Sequence, residues 1–535
     1  MVYSAVRFYI SLYLLVTGVY LITASGRIGL SDSVAMFNVA QSVAQNRSLS
    51  SEPCELDPNN LDAGSSVGCV PGARGGHYAG YGLVPSLLVV PVILGAKAVS
   101  AMGYANALLI SKVGASIFTV FVGGLACLVL ARWILKLGYN RFTAVTGACI
   151  FAFASPFWNG SVGGFLSEPY FTLALLAAAC LLSNPRRKSS CVLAGLAFGI
   201  ACGTRINGVV LFPAFILCMA FYVRSYKLPV SRFVRDVVEF SVPFSVCVLL
   251  IAWANYARFG SPFKTGYHLA FPTLSILFST PLFRGFFGLL FSPEVGLLVF
   301  APWILVAVIF FPKFVREHLP EAILCGVSCL IYVVFFAKFF DWHGGTVAGP
   351  RLLIPLLPFL VLMMVPAIQY LQQGAAIKPR RWVVVSTLMA ALFGVAFVIQ
   401  LLGTIFPVDR YYTLSEFYKN RPEKPWWSGS IPFASVDFLS RMSVSKGQMA
   451  QLDPLVARQI AQSALASSNS AATEQEFLEH FPNSANMMAP NLVWLKVRLM
   501  GQSFKTGIAY LVAAIAMAFA GAIGLMRFVP RNGNN

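Results

Sequence analysis

The run 382-WVVVSTLMAALFGVAFVIQLLG-403 contains 22 residues and no charged side chain. A helix of about 20 apolar residues is long enough to cross the hydrocarbon core of a bilayer. Comparable runs occur at residues 5–25, 105–131, 142–157, 168–183, 191–203, 206–222, 236–256, 293–311, 321–339, 352–370, 382–403 and 506–526. The sequence therefore predicts an all-α polytopic membrane protein with about 12 transmembrane helices, within a range of about 11 to 13.

Composition places most of the molecular surface in lipid. Of the 535 residues, 57% are hydrophobic and only 11% are charged, whereas a soluble protein carries about 25% charged residues. The formal net charge of +19 does not indicate nucleic-acid binding, because most Lys and Arg residues lie in short connections between apolar runs. The first run lacks a small-residue cleavage site, so we predict that it remains as an anchor.

Basic residues concentrate in every second connection. Cytoplasmic loops of membrane proteins carry such an excess of Lys and Arg. With the N-terminus inside, the cytoplasmic segments hold Arg7, Arg132, Lys136, Arg141, Arg186, Arg187, Lys188, Arg224, Lys227, Arg232, Arg235, Lys313, Arg316, Lys378, Arg380, Arg381, Arg527 and Arg531. The pattern predicts a multi-pass protein of the plasma (inner) membrane, whose polar chemistry lies on the extracytoplasmic or periplasmic side.

One apolar run does not fit this alternation. Residues 81–99, YGLVPSLLVVPVILGAKAV, are long enough to span, yet a span here would reverse the side of every later basic cluster. Pro85 and Pro91 favour a broken helix that lies against protein. We therefore predict interfacial helices in the first extracytoplasmic loop, formed by 34–45 and 81–99; an ordinary span with a thirteenth partner is the alternative.

The long outer segments define the domain organisation. We predict that residues 1–403 form a transmembrane domain, 404–505 an extracytoplasmic C-terminal region, and 506–535 a final transmembrane helix with a cytoplasmic tail. Cys54 and Cys69 share the first outer loop. We predict a disulfide between them, because the compartment is oxidising; two free thiols are the alternative.

Two acidic residues lie at the predicted outer surface. Asp32 opens a helix-like stretch just after the first span, and Glu168 begins the fourth span. Each residue is also a plausible helix cap, since a carboxylate near a helix N-terminus accepts backbone N–H groups. Two carboxylates at one surface nevertheless favour acid–base chemistry.

Cations complement these acids on the same predicted side. The segment 340-FDWHGGTVAGPR-351 is the most specific in the chain. Its glycines allow close approach of a ligand to the backbone, and the planar guanidinium of Arg351 suits phosphate. The other candidate cations are Arg205, Arg258, Lys264 and His343.

A glycine-rich stretch, 75-GGHYAGYG-82, precedes the predicted interfacial helix. Its aromatic side chains are either part of the interfacial aromatic belt or groups that orient a sugar. His77, Tyr78 and Tyr81 are the candidate contacts.

The order of these features resembles the membrane glycosyltransferases of the GT-C superfamily, in particular the protein O-mannosyltransferases and the aminoarabinose transferase of lipid A. The resemblance covers about residues 5–403. It implies an inverting sugar transfer from a polyprenyl-phosphate carrier at the extracytoplasmic face, to a lipid, glycan or protein acceptor. By position, Asp32 matches the family's general base and Glu168 its second acidic residue.

The resemblance also implies that Arg205 and Arg351 hold the carrier phosphate, with Lys264 and His343 as helpers. Ser31 and Ser33 flank Asp32, whereas many relatives have another acidic residue there. This difference argues against a metal at Asp32, and the sequence predicts no definite cofactor; a divalent metal elsewhere is left open.

Two other functions remain as alternatives. A lipid-linked oligosaccharide transporter or flippase is expected to place ionisable residues at mid-membrane, where the predicted spans are almost free of charge. A polysaccharide polymerase or ligase is expected to carry its large outer loop later in the membrane domain.

Overall fold

A computed structural model describes residues 2–26, 28, 31–51, 68, 70–73, 75–103, 107–183, 189–270, 273–344, 349–377, 379–405, 492–496 and 504–528. Cys54 and Cys69 lie outside these residues, so their predicted disulfide remains a prediction. Most of the predicted C-terminal region, residues 404–505, also lies outside them.

Helices make up 81% of the described structure. In its first half they are α1 (Val2–Thr23), α2 (Ser31–Asn46), α3 (Val84–Ala101), α4 (Ala107–Lys136), α5 (Arg141–Phe153), α6 (Phe157–Val162), α7 (Ser167–Leu182), α8 (Ser190–Thr204), α9 (Phe212–Ser225) and α10 (Val230–Phe259). In its second half they are α11 (Gly266–Ala270), α12 (Leu274–Leu277), α13 (Leu282–Phe291), α14 (Leu297–Phe300), α15 (Ile304–Glu317), α16 (Leu319–Lys338), α17 (Leu357–Ile377), α18 (Pro379–Ile405), α19 (Val493–Lys496) and α20 (Phe504–Met526). The 3-10 helices Ile206–Leu211 and Arg351–Leu356 precede α9 and α17, and strands β1 (Val70–Pro71) and β2 (His77–Tyr78) pair antiparallel.

The chain is a multi-pass membrane protein. Over the described ranges, ten helical stretches are apolar and long enough to cross a membrane, and α5, α7 and α8 are shorter apolar helices. This result confirms the predicted all-α polytopic class. Within the stretch Arg351–Gln372, 94% of its most apolar 18-residue window is buried. This burial makes α17 the central helix, because a helix that is apolar on all sides belongs inside a bundle.

Contacts between helix termini define two ends of the bundle. At the Arg141 end, Arg141 Nη1 donates to Ser4 Oγ at 2.9 Å and Lys136 Nζ donates to the carbonyl oxygen of Cys180 at 2.6 Å. The start of α1 therefore meets the end of α4, the start of α5 and the end of α7. The opposite, Arg351 end holds the start of α7, the end of α8 and the helical turn before α17.

Helix α3 stays on the side of the Arg351 end. Residue Tyr81, just before α3, belongs to that end, whereas α4 finishes at the Arg141 end with Lys136. Because α4 must then begin on the side of the Arg351 end, α3 starts and finishes there. Val92 of α3 packs against Gly114 of α4. The structure thus favours the interfacial or re-entrant helix over a thirteenth span.

Two segments differ from the predicted spans. The run 293–311 is divided between α14 and α15, with a break at residues 301–303. Pro302 lacks a backbone N–H and restricts the preceding residue, so one continuous helix cannot form. The stretch Leu274–Phe291, which the sequence left in an outer loop, is apolar enough to span but is divided between α12 and α13.

Helices α1 and α20 pack against each other through small residues. A Cβ atom on Gly18 would collide with Ala518, and one on Gly524 would collide with Ser11. As residue numbers rise along α1 from Ser11 to Gly18, the numbers of their partners in α20 fall from Gly524 to Ala518. The two helices are therefore antiparallel. Segment 492–496 lies at the C-terminal end of α1, where the backbone N–H of Val493 donates to the carbonyl of Ala24 at 2.8 Å.

Candidate functional site

Four charged residues from distant parts of the chain meet at the Arg351 end. Arg351 Nη2 donates to Asp32 Oδ2 at 2.5 Å, and Arg351 Nε donates to Glu168 Oε1 at 2.5 Å. Arg205 Nη1 donates to the same Glu168 oxygen at 2.6 Å. Arg351 is therefore the central residue of a continuous chain of ion pairs between Asp32 and Arg205.

Glu168 is the most deeply placed member of this cluster. Its side chain is 0% exposed, and it lies in the first turn of α7, where the helix dipole favours a negative charge. Both guanidinium groups bond to Oε1, and Oε2 has no hydrogen-bond partner among the described residues. A buried carboxylate needs such pairing, since an unpaired one would be strongly destabilising.

The arginines occupy the ends of helical segments. Arg205 separates α8 from the following 3-10 helix, as the predicted hairpin required, and Arg351 begins the 3-10 helix ahead of α17. Side-chain exposures of 14% for Arg205 and 7% for Arg351 show that neither is an interfacial side chain extended into water. Their charges are directed to the cluster.

Asp32 is the more accessible carboxylate, with 23% of its side chain exposed. Tyr81 Oη donates to its Oδ1 at 2.8 Å. Burial raises the pKa of Asp32, but the Arg351 guanidinium, the Tyr81 hydrogen bond and the more distant Arg205 together outweigh it, so its pKa lies below the ordinary value. Asp32 is thus an ionised carboxylate at neutral pH.

Tyr81 remains a hydrogen-bond donor. Burial and the adjacent Asp32 carboxylate raise the pKa of Tyr81 well above its ordinary value. Its ring meets that of Tyr267 edge-on, with 6.5 Å between centroids.

The remaining predicted residues lie around this cluster rather than in it. Arg258 is buried and donates to the carbonyls of Ala79 and Tyr81, at 2.8 and 3.3 Å. His77 and Tyr78 form β2, where the Tyr78 ring packs on Phe259 with 6.3 Å between centroids. The predicted roles of these residues in substrate binding remain predictions. In the structure, the guanidinium group of Arg258 binds the backbone of the loop 79–82.

Lys264 and His343 are exposed. Lys264 follows α10 in the turn before α11, and the ring of His343 lies 3.6 Å from that of Trp342, centroid to centroid. Their helper roles also remain predictions.

Tyr267, Asn207 and Tyr332 belong to the site but were not predicted from the sequence. Tyr267 interacts electrostatically with all four charged residues. Tyr332 Oη donates to Asn207 Oδ1 at 3.3 Å beside Arg205. The signal available was position: Asn207 follows Arg205 by two residues, and Tyr267 follows Lys264 by three.

These residues do not fit a resident divalent cation. Both oxygens of Asp32 already accept hydrogen bonds, and a cation beside Glu168 would face two guanidinium groups. Within the described part of the chain, the group with metal-ligand spacing is Cys191, Asp236 and Glu239. There Arg232 and Arg235 pair with the two acids. Cys191 lies at the start of α8, whereas Arg205 of the cluster follows the end of that helix.

Comparison with known proteins identifies the type of fold. No protein-family model and no curated protein matches the chain. The oligosaccharyltransferase AglB of Archaeoglobus fulgidus, in complex with an inhibitory peptide and a dolichol-phosphate, matches it with a TM-score of 0.50 at 11% identity, over 79% of this chain and 58% of AglB. The chain has a GT-C-like fold.

Further structures with this GT-C-like arrangement match less closely. The Archaeoglobus fulgidus oligosaccharyltransferase in complex with Zn and sulfate gives a TM-score of 0.48 at 13% identity, over 78% of this chain and 55% of that one. ArnT from Cupriavidus metallidurans, bound to undecaprenyl phosphate, gives 0.42 at 13% identity, over 97% of this chain and 76% of ArnT. With 55–58% of their residues matched, the chain spans little more than half the length of the oligosaccharyltransferases.

Proposed function

We propose that the protein is an integral-membrane glycosyltransferase that moves a sugar from a polyprenyl-phosphate carrier to an acceptor hydroxyl, with inversion. The observation that carries this proposal is the bridge that Arg351 makes between Asp32 and Glu168 within a GT-C-like fold. It puts a base and a phosphate-binding cation side by side. AglB is a membrane glycosyltransferase whose structure contains a dolichol-phosphate, a lipid phosphate of the proposed class.

In this mechanism one bond forms as another breaks. The acceptor oxygen attacks the anomeric carbon from the side opposite the phosphate, and the carbon–oxygen bond to the phosphate breaks with its electron pair. The acceptor proton passes to Asp32, which is the more accessible carboxylate. The products are the inverted glycoside and the polyprenyl phosphate with one additional negative charge.

The leaving phosphate needs charge stabilisation rather than a strong acid. Arg351 and Arg205 supply two guanidinium groups in a site that is largely closed to water. Because Arg351 also binds Asp32 Oδ2, the donor phosphate competes for this guanidinium. When the phosphate accepts those hydrogen bonds, Asp32 loses its strongest partner and becomes a better base.

Glu168 has a separate role in the proposal. It binds Arg205 and Arg351 through one oxygen and is inaccessible to an acceptor. We assign it to holding the two arginines at a fixed separation. This differs from the sequence-based expectation of a second catalytic acid.

The location of the reaction follows from charge. The Arg141 end carries the described members of the basic clusters, including Arg141 and Lys136, and cytoplasmic ends are the basic ends of membrane proteins. The proposed reaction therefore takes place on the extracytoplasmic side of the plasma membrane. The carrier's polyprenyl chain remains among membrane lipids, next to apolar helices such as α3.

A transfer assay tests the proposal. Membranes that contain the protein are supplied with a panel of radiolabelled undecaprenyl-phosphate sugars, and label transfer and release of undecaprenyl phosphate are measured. We expect turnover of at least one donor, and its loss in Asp32→Asn. Turnover of a diphosphate-linked oligosaccharide alone would favour a polymerase or ligase. Movement of an intact lipid-linked sugar between leaflets without turnover would favour a flippase.

A labelling experiment tests the side of the membrane. In a cysteine-free background, an impermeant maleimide added to intact cells should label a cysteine at Lys264 but not one at Arg235. The reverse pattern would contradict the extracytoplasmic assignment. Both side chains are exposed, so burial does not explain a difference in labelling.

A further inference from the structure

The loop 79–82, AGYG, contacts three parts of the site at once. Tyr81 Oη donates to Asp32 Oδ1 at 2.8 Å. Gly82 lies so close to the carbonyl oxygens of Gly203 and Thr204 that a Cβ atom would collide with both. Since Thr204 immediately precedes Arg205, this loop is in contact with the base on one side and with the backbone of a phosphate-binding arginine on the other.

Arg258 fixes the same loop from behind. Its Nη1 donates to the carbonyls of Ala79 and Tyr81, and its Nη2 donates to Asn255 Oδ1 at 3.0 Å. Its Nε donates to the carbonyl of Ala254 at 3.3 Å. The residue is 4% exposed. A buried arginine whose donors bind protein oxygens in this way is a structural clamp and has little capacity left for a substrate.

The two oxygens of Asp32 have different partners. Arg351 binds Oδ2, and Tyr81 binds Oδ1. If Arg351 moves to the donor phosphate, the hydrogen bond from Tyr81 still restrains rotation of the carboxylate. A base must be held within hydrogen-bond reach of the proton that it removes, so this hydrogen bond contributes to its alignment.

We propose that Tyr81 is a positioning residue for the base Asp32, and that Arg258 acts through Tyr81 by clamping the loop 79–82. This inference rests on the proposed function for its kinetic consequences. Its structural content, that Tyr81 sets the orientation and proton affinity of Asp32, is independent of any substrate.

The titration of Asp32 gives a readout that a merely structural role would not change. The groups that face Asp32 are Arg351, Arg205 and Tyr81, with Tyr267 beside Tyr81. A hydrogen bond to the ionised form stabilises that form. Removing the Tyr81 hydroxyl therefore raises the pKa of Asp32, and the carboxylate becomes protonated at a higher pH.

The first experiment measures this titration by labelling purified protein with a carbodiimide, which reacts with protonated carboxyl groups. Mass spectrometry follows the Asp32 peptide as pH is varied. We expect the labelling midpoint to rise in Tyr81→Phe and to stay in place in Tyr139→Phe, a matched loss of one hydroxyl whose hydrogen bond is to Glu317 at the Arg141 end. An unchanged midpoint in Tyr81→Phe, with unchanged thermal unfolding, would overturn the proposal.

The second experiment uses the transfer assay on the same proteins. Tyr81→Phe should lower kcat by roughly tenfold to a hundredfold, as expected for a lost hydrogen bond to a charged group, with little change in the KM for donor. Arg258→Lys should lower kcat less, because an ammonium group cannot hold two carbonyls in the same planar geometry. The double variant should be no worse than Tyr81→Phe.

Additive effects of the two substitutions would show that Arg258 acts independently of Tyr81, and would overturn that part of the inference. Absence of transfer by the wild-type protein with every donor would contradict the proposed function. The carbodiimide midpoints would still test the link between Tyr81 and Asp32.

Discussion

The two ends of the helix bundle use charge in opposite ways. At the Arg351 end, two carboxylates and two guanidinium groups are buried against one another in matched number. At the Arg141 end, cations are in excess: some pair with acids, as Arg232 does with Asp236, and others bind neutral oxygens, as Arg141 does with Ser4 and Lys136 with the carbonyl of Cys180. Buried charges require partners, whereas exposed charges do not.

This difference separates chemistry from orientation. A matched, buried cluster holds its groups in one geometry and responds strongly when a new charge arrives. An excess of exposed cations defines a side of the membrane without defining a geometry. Substitutions at the two ends should therefore differ in kind as well as in size.

The largest difference is expected between one aspartate at each end of the bundle. Asp32→Asn should reduce transfer by roughly 10²–10⁴-fold, because general-base catalysis contributes about that much. Asp236→Asn, at the ion pair with Arg232, should leave the turnover of each folded molecule unchanged. The measurement is kcat normalised to folded protein. Equal losses in both variants would mean that stability, not catalysis, explains the effect.

Arg351→Ala should destabilise the protein by about 3–5 kcal/mol, because it leaves two carboxylates without their shared partner. It should also weaken donor use, and additional donor lipid should partly restore transfer. Arg316→Ala, an exposed arginine of the other end, should change stability by less than about 0.5 kcal/mol. Thermal unfolding in detergent compares the two; similar melting temperatures would remove the distinction between the ends.

The pH dependence should separate free from donor-bound enzyme. The pKa of Asp32 is lowered chiefly by Arg351 against the effect of burial, so kcat/KM should persist as pH falls until it passes below the ordinary pKa of aspartic acid. Once the donor phosphate engages Arg351, this lowering is lost, and kcat should decline at a higher pH than kcat/KM. Protein returned to neutral pH serves as the control for denaturation. If kcat and kcat/KM declined at the same acidic pH, the exchange of Arg351 from Asp32 to the donor phosphate would be contradicted.

The smallest effect is expected for a hydrogen bond at the Arg141 end. Tyr139 Oη donates to Glu317 Oε2 at 2.8 Å, and this contact is only partly buried. Tyr139→Phe should cost about 1 kcal/mol or less and leave transfer intact. Denaturant titration measures the first quantity and the transfer assay the second. A loss of activity here would show that the two ends are coupled.

Apolar length was enough to predict the helical class, and the basic clusters were enough to predict that Asp32, Glu168, Arg205 and Arg351 lie at one common end of the bundle. Both signals are local, so each can be read in a single segment. The pairing within the cluster could not be predicted, because it depends on which helices are neighbours. In the structure, residues 319 positions apart in sequence share one hydrogen bond.

Arg258 and Tyr267 show a second limit of sequence analysis. Membrane topology assigns a residue to a side but not a direction to its side chain, so the hydrogen bonds from Arg258 to the loop 79–82 could not be predicted. Tyr267 lies in a helix of five residues, too short for a periodic pattern. Pro302 indicates the helix break within 293–311, but the prediction of a single span relied on the hydrophobic run alone.

The antiparallel contact between α1 and α20 has a consequence for biogenesis. Helix α1 enters the membrane early in translation, yet the surface around Gly18 stays without its partner until α20 is made. At about 5–20 residues per second, that interval lasts tens of seconds. During this time an insertase or lipid has to shield the small-residue groove, and halting synthesis before α20 should expose α1 to quality-control proteases.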